Sequence, residues 1–169
     1  YLPAALAPDK PYDKDGCFSG SAIALADGCQ LLMYTRVEKK EQEDGRIYEF
    51  QTQCLATGDG LDYKKYKDNP VIDEKDLPEG FSRHDFRDPK LWKKEDGTYA
   101  CVIGNRSADG TRAVRIRIIT FPAVHSVSEV KNMLPAPFLP VYFSLMPLCS
   151  IRKGLSSKKV NVFRSPFDA

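Results

Sequence analysis

Six Asp-Gly pairs punctuate the first two thirds of the chain and constrain its fold more than any other feature. The pairs begin at Asp15, Asp27, Asp44, Asp59, Asp96 and Asp109. Glycine supplies the positive φ angles that tight hairpin turns require, and aspartate hydrogen-bonds to the backbone of the turn. No apolar stripe of helical period and useful length competes with these turns. The pattern therefore predicts short strands joined by hairpins.

The stretches beside the turns have the composition of strands, at 21–25, 31–35, 47–54 and 99–103. The third stretch alternates between an apolar set and a polar set, which are Tyr48, Phe50, Thr52 and Cys54 against Glu49, Gln51 and Gln53. Short strands at close spacing with turn signals are typical of all-β sandwiches, barrels and propellers. The mixed-charge run at 38–44 is interpreted as a solvated hairpin tip.

A long irregular connection, 62–80, leads to the segment whose centre is Arg87-Asp88-Pro89. Pro89 fixes its own φ and biases Asp88 towards an extended conformation, so Asp88 is expected where a strand begins or ends. With Arg87 beside it, the Asp88 carboxylate can accept two hydroxyl donors at once, which is the pattern that vicinal sugar hydroxyls present. The alternative is that the Asp-Pro step is turn chemistry alone.

The size of the chain, its apolar runs and its cysteines exclude several classes of protein. A chain of 169 residues makes one domain with a usable core, and no apolar run approaches the roughly 20 residues of a membrane helix. The start lacks the order of a signal peptide, so a cytoplasmic location is expected. Five cysteines without a Cys-x-x-Cys pair predict reduced, mostly buried thiols, with no disulfide framework, metal site or cofactor.

Three motifs in register then give the chain a family resemblance. They are the segments 12–22 (Tyr-Asp-Lys-Asp-Gly-Cys-Phe-Ser-Gly-Ser-Ala), 51–56 (Gln-Thr-Gln-Cys-Leu-Ala) and 86–90 (Phe-Arg-Asp-Pro-Lys). In order and spacing they resemble glycoside hydrolase family 32, the sucrose-6-phosphate hydrolases, invertases and β-fructofuranosidases. The resemblance covers roughly residues 1–112.

The resemblance implies a fold, a reaction and a set of site residues. The fold is a five-bladed β-propeller, of which this chain would be an all-β fragment with a poorly patterned C-terminal tail. The reaction is hydrolysis of terminal β-D-fructofuranosyl bonds with retention, by an Asp nucleophile and a Glu acid/base. Asp88 would be the transition-state stabiliser that holds fructose hydroxyls, with Arg87 as its neighbour. Phe18 and Ser19 would line the fructose subsite.

The departures from the family pattern matter as much. The nucleophile motif, of the Asn-Asp-Pro type, does not precede Tyr12, and no Glu-Cys-Pro acid/base motif follows Asp88. Both catalytic carboxylates are therefore missing, and negligible hydrolysis is expected. Arg36 also stands where the family usually has a glycine after Tyr-Thr, a position at which the resemblance implies a turn.

The chain changes character near Arg112. Residues 1–112 hold 17 basic and 21 acidic residues, whereas residues 113–169 hold 8 and 2, with half of the twelve prolines and one of the eleven glycines. We interpret 1–112 as a partial N-terminal domain of the family and 113–169 as an atypical basic, proline-rich tail. The hypothesis is a frame change in the coding sequence near Thr111-Arg112, and the alternative is a diverged segment.

Two function classes stay open at this point. The first is a hydrolase of the β-fructofuranosidase type, of which this chain is an incomplete piece, acting on sucrose, sucrose 6-phosphate or a fructan. The second is a catalytically dead fructoside-binding module built on Phe18, Ser19, Arg87 and Asp88. A nucleic-acid partner is not expected, because the basic residues of the tail are scattered without aromatic interleaving. The oligomeric state is not indicated.

Overall fold

The computed structural model describes residues 2–77 and 79–110, together with the backbone of 113–121 and 142–145. The described residues form strands and one short 3₁₀ helix, Glu74–Asp76. The strands are β1 (Cys17–Ala24), β2 (Gln30–Glu41), β3 (Ile47–Gly58), β4 (Tyr63–Lys65), β5 (Arg87–Lys93), β6 (Tyr99–Arg106), β7 (Ala113–Phe121) and β8 (Tyr142–Leu145). The expectation of an all-β chain is confirmed.

The strands form two successive antiparallel sheets, each in simple chain order. Sheet one has the order β1-β2-β3-β4 and sheet two the order β5-β6-β7-β8. The first strand of each sheet faces the other sheet, and Leu91 of β5 donates its N–H to the Ser21 hydroxyl of β1 at 2.7 Å. Four-stranded meanders repeated in this way are blades of a β-propeller, so the expected propeller fragment is confirmed as well.

Five of the six Asp-Gly pairs lie between consecutive paired strands and close hairpins as predicted, whereas Asp15-Gly16 lies just before β1. Gly28, Gly45 and Gly97 have φ angles of 83°, 76° and 83° in the turns after β1, β2 and β5. The predicted boundary of one hairpin is wrong, because β2 and β3 stay paired as far as Glu41 and Ile47. The charged run at 38–44 is therefore mostly strand, and only its last residues belong to the tip.

No turn forms at Arg36, the position where this chain departs from the family's glycine, because β2 runs through it without a break. The Arg36 side chain is buried and its Nε donates to the Thr52 hydroxyl at 2.5 Å. One terminal nitrogen donates to the Glu38 carboxylate at 2.7 Å and to the Tyr12 carbonyl at 3.2 Å. These partners satisfy hydrogen-bond donors of the buried guanidinium. An arginine is therefore accommodated at this position of the strand.

The hydrophobic core lies between the two sheets and extends under the long connection. Its fully or almost fully buried members are Leu31, Met33 and Leu55 from sheet one and Phe86, Leu91, Tyr99, Cys101 and Ile103 from the second half. The connection was predicted to be irregular, and apart from β4 and the 3₁₀ helix it is. It nevertheless contributes the buried side chains of Tyr66, Val71, Ile72 and Leu77 to this core.

The polar side chains in the middle of β3 are buried rather than solvated. Gln51 and Gln53 are 2% exposed or less, whereas Glu49 on the same face is partly exposed, and Thr52 on the opposite face is fully buried. The backbone of the connection lies along this part of the strand, since Gln51 N–H donates to the Arg83 carbonyl and Gln53 N–H to the Ile72 carbonyl. Between residues 51 and 54 both faces of β3 are therefore buried, and one of them is polar.

The predictions for the tail fall mostly outside the described residues. The alternating segment 114–118 lies within β7, and the short edge strand β8 lies within the proline-rich part. Thr111, Arg112 and residues 122–141 and 146–169 are not described. The proposed frame change and the boundary at 112 therefore stay predictions. In the described part of the chain, none of the helical structure is long and apolar enough to cross a membrane.

Gly20 permits an unusually close approach of β1 to β2. A β-bulge shifts the pairing between Phe18 and Gly20, and a Cβ at Gly20 would lie 2.0 Å from the Met33 carbonyl oxygen and 2.8 Å from the Tyr34 Cα. Both of these atoms are backbone, so neither can move aside without distorting β2. Glycine is the residue that fits this contact.

We expect Gly20→Ala to lower the free energy of unfolding by roughly 2 kcal/mol or more, because the added methyl group overlaps a strand backbone. Urea denaturation followed by circular dichroism measures the change. Gly28→Ala is the matched control, since no atom lies within 4 Å of its added Cβ and only its positive φ is strained. A loss for Gly20→Ala no larger than that for Gly28→Ala would contradict the close-approach explanation.

Candidate functional site

The four predicted site residues lie on the first strands of the two sheets, and all four are exposed. Phe18 and Ser19 belong to β1, and Arg87 and Asp88 begin β5. Phe18 is 44% exposed, and the side chains of Arg87 and Asp88 are 46% and 65% exposed. Polar groups at this exposure are available to a ligand from solvent.

Both site segments coincide with β-bulges, a feature that the sequence did not reveal. In sheet one the register passes from Phe18 paired with Thr35 to Gly20 paired with Tyr34, which leaves Ser19 as the extra residue. In sheet two the register shifts between Arg87 and Lys90. Bulges turn side chains away from the regular alternation and are frequent beside functional sites.

The backbone of Asp88 contradicts the expected extended conformation. Its φ is +60°, the one positive φ of a non-glycine residue in the described part of the chain. This left-handed conformation costs roughly 1–3 kcal/mol for most residues and is best tolerated by Asp and Asn. Pro89 restricts the residue before it and is itself buried, and the register of β5 against β6 shifts at this place.

Arg87 lies between two carboxylates. Its Nε is 3.9 Å from Asp88 Oδ2, and its terminal nitrogens reach Asp85 Oδ1 at 3.5 Å and Gln51 Oε1 at 3.4 Å. Asp85 also receives Arg106 at 2.6 Å and the Ser82 hydroxyl at 3.0 Å. Asp85 is therefore engaged by protein donors, whereas the Asp88 carboxylate contacts Arg87 alone among the described residues.

Thr35 connects the two site segments. The register places it opposite Phe18, and its hydroxyl oxygen accepts a hydrogen bond from the Asp88 N–H at 3.2 Å. Phe18 and Asp88 are thus each one contact away from the same buried residue. The structure brings together the two segments, which are about 70 residues apart in the sequence.

The ring of Phe18 forms a wall of an open apolar hollow. A Cβ at Gly16 would lie 2.6 Å from Cε1 of Phe18, so the ring rests directly over this glycine. The hollow has a volume of about 290 Å³ and is also lined by Ala22, Leu32 and Tyr34. Ser19, Arg87 and Asp88 do not line this hollow, so of the four predicted site residues Phe18 alone contributes to it.

A buried charge cluster beside β1 was missed by sequence reasoning. Asp13 lies in a turn and is fully buried, and its carboxylate accepts from the Tyr34 hydroxyl at 3.0 Å and from Lys65 Nζ at 2.5 Å. Lys65 also donates to Asp9 at 2.6 Å. No sequence signal identifies this pairing, because Lys65 comes from β4, 52 residues away.

The pKa values of three members of the cluster are all raised, for different physical reasons. Burial disfavours the charged form of Lys65, but the hydrogen bonds to Asp13 and Asp9 outweigh it, and its pKa is raised. Burial and then the Asp13 charge raise the pKa of the adjacent Cys17 thiol to about 11. Burial likewise raises the pKa of Tyr34. Cys17 is therefore a neutral thiol and not a nucleophile at neutral pH.

The four described cysteines, Cys17 included, are free thiols, and two of them are only partly buried. Cys54 and Cys101 are buried, and Cys17 and Cys29 are intermediate. Burial raises the pKa of Cys54 and Cys101 to about 12. Within residues 2–77 and 79–110, no group of three or more His, Cys, Asp and Glu side chains is placed to hold a metal ion.

Comparison with known proteins agrees with the family resemblance of the sequence. The sequence model described as "Glycosyl hydrolases family 32 N-terminal domain" matches residues 1–117. The chain is 42% identical over 102 residues to a sucrose-6-phosphate hydrolase of Klebsiella pneumoniae, covering 60% of this chain and 20% of that protein. It is 44% identical over 105 residues to a raffinose invertase of Escherichia coli, covering 62% and 20%.

A solved structure agrees with the fold. The sucrose-6-phosphate hydrolase from Lactobacillus gasseri matches with a TM-score of 0.50 and 31% sequence identity, over 69% of this chain and 22% of that one. The chain thus spans about a fifth of the length of the curated relatives that it matches.

We expect Lys65→Met to lower the free energy of unfolding by about 3 kcal/mol, because it leaves the buried Asp13 carboxylate without its cation. The raised pKa of Lys65 means that its contribution is complete below the ordinary lysine pKa of about 10.4 and is lost as the pH rises through the folded-state value. The loss is therefore measured by urea denaturation at pH 7.

The neighbouring Lys64 is exposed and provides the control, since Lys64→Met removes the same charge from the surface of the same strand. We expect it to change the free energy of unfolding by less than about 0.5 kcal/mol. Equal losses for the two variants would show that the Asp13 contact contributes no more than a surface charge.

Proposed function

The chain belongs to glycoside hydrolase family 32, and we propose that it supplies part of the fructosyl-binding site of a β-fructofuranosidase of the sucrose-6-phosphate hydrolase type. The reaction of the whole enzyme is cleavage of the terminal β-D-fructofuranosyl bond of sucrose or sucrose 6-phosphate with retention. One observation carries the proposal: the Phe18-Ser19 and Arg87-Asp88 segments lie at bulges on facing first strands, joined through Thr35.

Each site residue has a chemical role in this proposal. The Asp88 carboxylate accepts hydrogen bonds from two fructose hydroxyls and stabilises the positive charge that develops on the sugar ring in the oxocarbenium-like transition state. The Phe18 ring packs against the apolar face of the sugar, and the Ser19 hydroxyl donates to it. Arg87 supplies further donors and keeps its guanidinium beside Asp88.

The two carboxyl groups that perform the chemistry are not among these residues. A retaining mechanism needs a nucleophile and an acid/base roughly 5 Å apart, and the 169 residues contain neither an Asn-Asp-Pro nor a Glu-Cys-Pro motif. This absence favours a second candidate function for the chain as it stands, which is fructoside binding without hydrolysis. The two candidates share the same binding residues and differ in turnover.

The remaining assignments are predictions that accompany the proposal. The partner is a small fructoside, either sucrose, sucrose 6-phosphate or a fructan, and no cofactor, nucleic acid or membrane is assigned. A cytoplasmic location is also a prediction. So is the division into a family domain at 1–112 and a basic tail at 113–169.

We expect fructose to change the fluorescence of Trp92 in a saturable manner, since this half-buried residue lies on β5 four positions from Asp88. Asp88→Asn removes the charge that accepts the sugar hydroxyls and should weaken fructose binding about tenfold or more. Asp62→Asn, an exposed aspartate before β4 at the far edge of sheet one, is the control and should bind like the unmodified chain. Absence of a saturable change, or equal weakening in both variants, would overturn the proposed site.

We also expect negligible sucrose hydrolysis by this chain, because loss of even one catalytic group commonly lowers the rate by several orders of magnitude. Release of glucose from sucrose, measured with a coupled enzymatic assay, tests this. A turnover that is abolished in Asp88→Asn and survives repeated purification would contradict the expectation and would favour the hydrolase over the binding module.

A further inference from the structure

Two buried polar residues of sheet one, Thr35 and Gln53, form a hydrogen-bonded relay to the backbone on both sides of Arg87. They face each other across β2 and β3 and are both fully buried. The Thr35 hydroxyl donates to Gln53 Oε1 at 3.2 Å, and Gln53 Nε2 donates to the Phe86 carbonyl at 2.7 Å. The Asp88 N–H donates to the Thr35 hydroxyl oxygen at 3.2 Å. The relay therefore closes a ring through the site segment.

The chemistry of the two ends fixes the direction of every bond in this ring. The Phe86 carbonyl only accepts, so the Gln53 amide must present its NH₂ group to it and its oxygen to Thr35. The Asp88 N–H only donates, so the Thr35 hydroxyl must accept there and give its proton to Gln53. Each member thus has one orientation, and none of the buried polar side-chain atoms in the described part of the chain lacks a partner.

The ring holds the atoms that determine where the Asp88 carboxylate points. The amide nitrogen of Asp88 is bonded to Thr35, and the peptide before Arg87 is bonded to Gln53, so the chain is held on both sides of the bulge. Asp88 has its strained φ of +60° at this place. A strained conformation persists only where the surrounding structure fixes it.

We propose that Thr35 and Gln53 are positioning residues, which hold Asp88 in its left-handed conformation and so aim its carboxylate at the ligand. The inference rests on the proposed function for the identity of the ligand, but not for the backbone geometry. Neither residue touches solvent or the site surface, and they act through the backbone of residues 86–88.

The experiment uses the whole chain, labelled with ¹⁵N, and compares Thr35→Val with Thr35→Ser and Thr52→Val. Thr35→Val keeps the shape of the side chain and removes the hydroxyl, while Thr35→Ser keeps the hydroxyl. Thr52→Val is the matched control, because Thr52 is equally buried on β3 and its hydroxyl accepts from Arg36 instead of the site segment. The readouts are hydrogen exchange of the Asp88 amide and its intraresidue NOE from amide to Hα, which is strong at positive φ.

We expect Thr35→Val to accelerate exchange of the Asp88 amide about tenfold and to weaken this NOE, because a buried hydrogen bond is lost. Thr35→Ser and Thr52→Val should stay within about twofold of the unmodified chain at this amide. Fructose binding should weaken in Thr35→Val and persist in Thr52→Val even where the two lose similar stability. Equal exchange in Thr35→Val and Thr52→Val would overturn the proposal.

The unmodified chain gives an answer even where Thr35→Val does not fold. A protected Asp88 amide, together with a visible Thr35 hydroxyl proton, supports the relay, and an Asp88 amide that exchanges at the rate of an unstructured peptide overturns it. The exchange measurements need no ligand. A chain with a protected Asp88 amide that does not bind fructose would therefore remove the proposed function and leave the relay standing.

Discussion

Gln53 is the residue on which the junction of the two sheets depends. Its backbone N–H donates to the Ile72 carbonyl at 3.0 Å, its carbonyl accepts from Val71 at 2.8 Å, and its side chain bonds to Thr35 and Phe86. The chain between β4 and β5 is thus fastened to the middle of sheet one at several points. A buried amide that does not make its hydrogen bonds is costly, so the connection follows the path on which Gln53 makes them. That path determines where β5 begins.

The start of β5 in turn determines the geometry of the site. β5 packs against β1 through the bond from Leu91 to Ser21, and both strands have a bulge at the same end of the molecule. The side chains at the bulges are exposed. Their hydrogen-bonding groups are not used in folding and remain available to a ligand. The buried Asp13–Lys65 pair is the opposite case, because its charges satisfy each other and are unavailable for binding.

The contacts around Arg87 separate a carboxylate that is engaged by the protein, Asp85, from one that is open to solvent, Asp88. Asp85 is held by Arg106, Ser82 and Arg87, whereas Asp88 has only a loose contact with Arg87 at 3.9 Å. A guanidinium shared between two acids balances their charge without occupying the Asp88 oxygens. In the proposed fructosyl site, Asp88 is the acceptor whose oxygens are still open.

The sequence by itself determined the elements and the family. Asp-Gly pairs predicted the hairpins because positive φ is a local property of glycine, and three motifs in register identified the family. The assignment of Phe18, Ser19, Arg87 and Asp88 as site residues, which follows from that resemblance, stays a prediction. Only the tertiary structure decided the conformation of Asp88, the burial of Gln51 and Gln53, and the pairing of Asp13 with Lys65. The physical reason is that each of these depends on partners 18 to 53 residues away in the sequence. Local propensity contains no record of what a polar side chain will meet when distant segments of the chain pack against it.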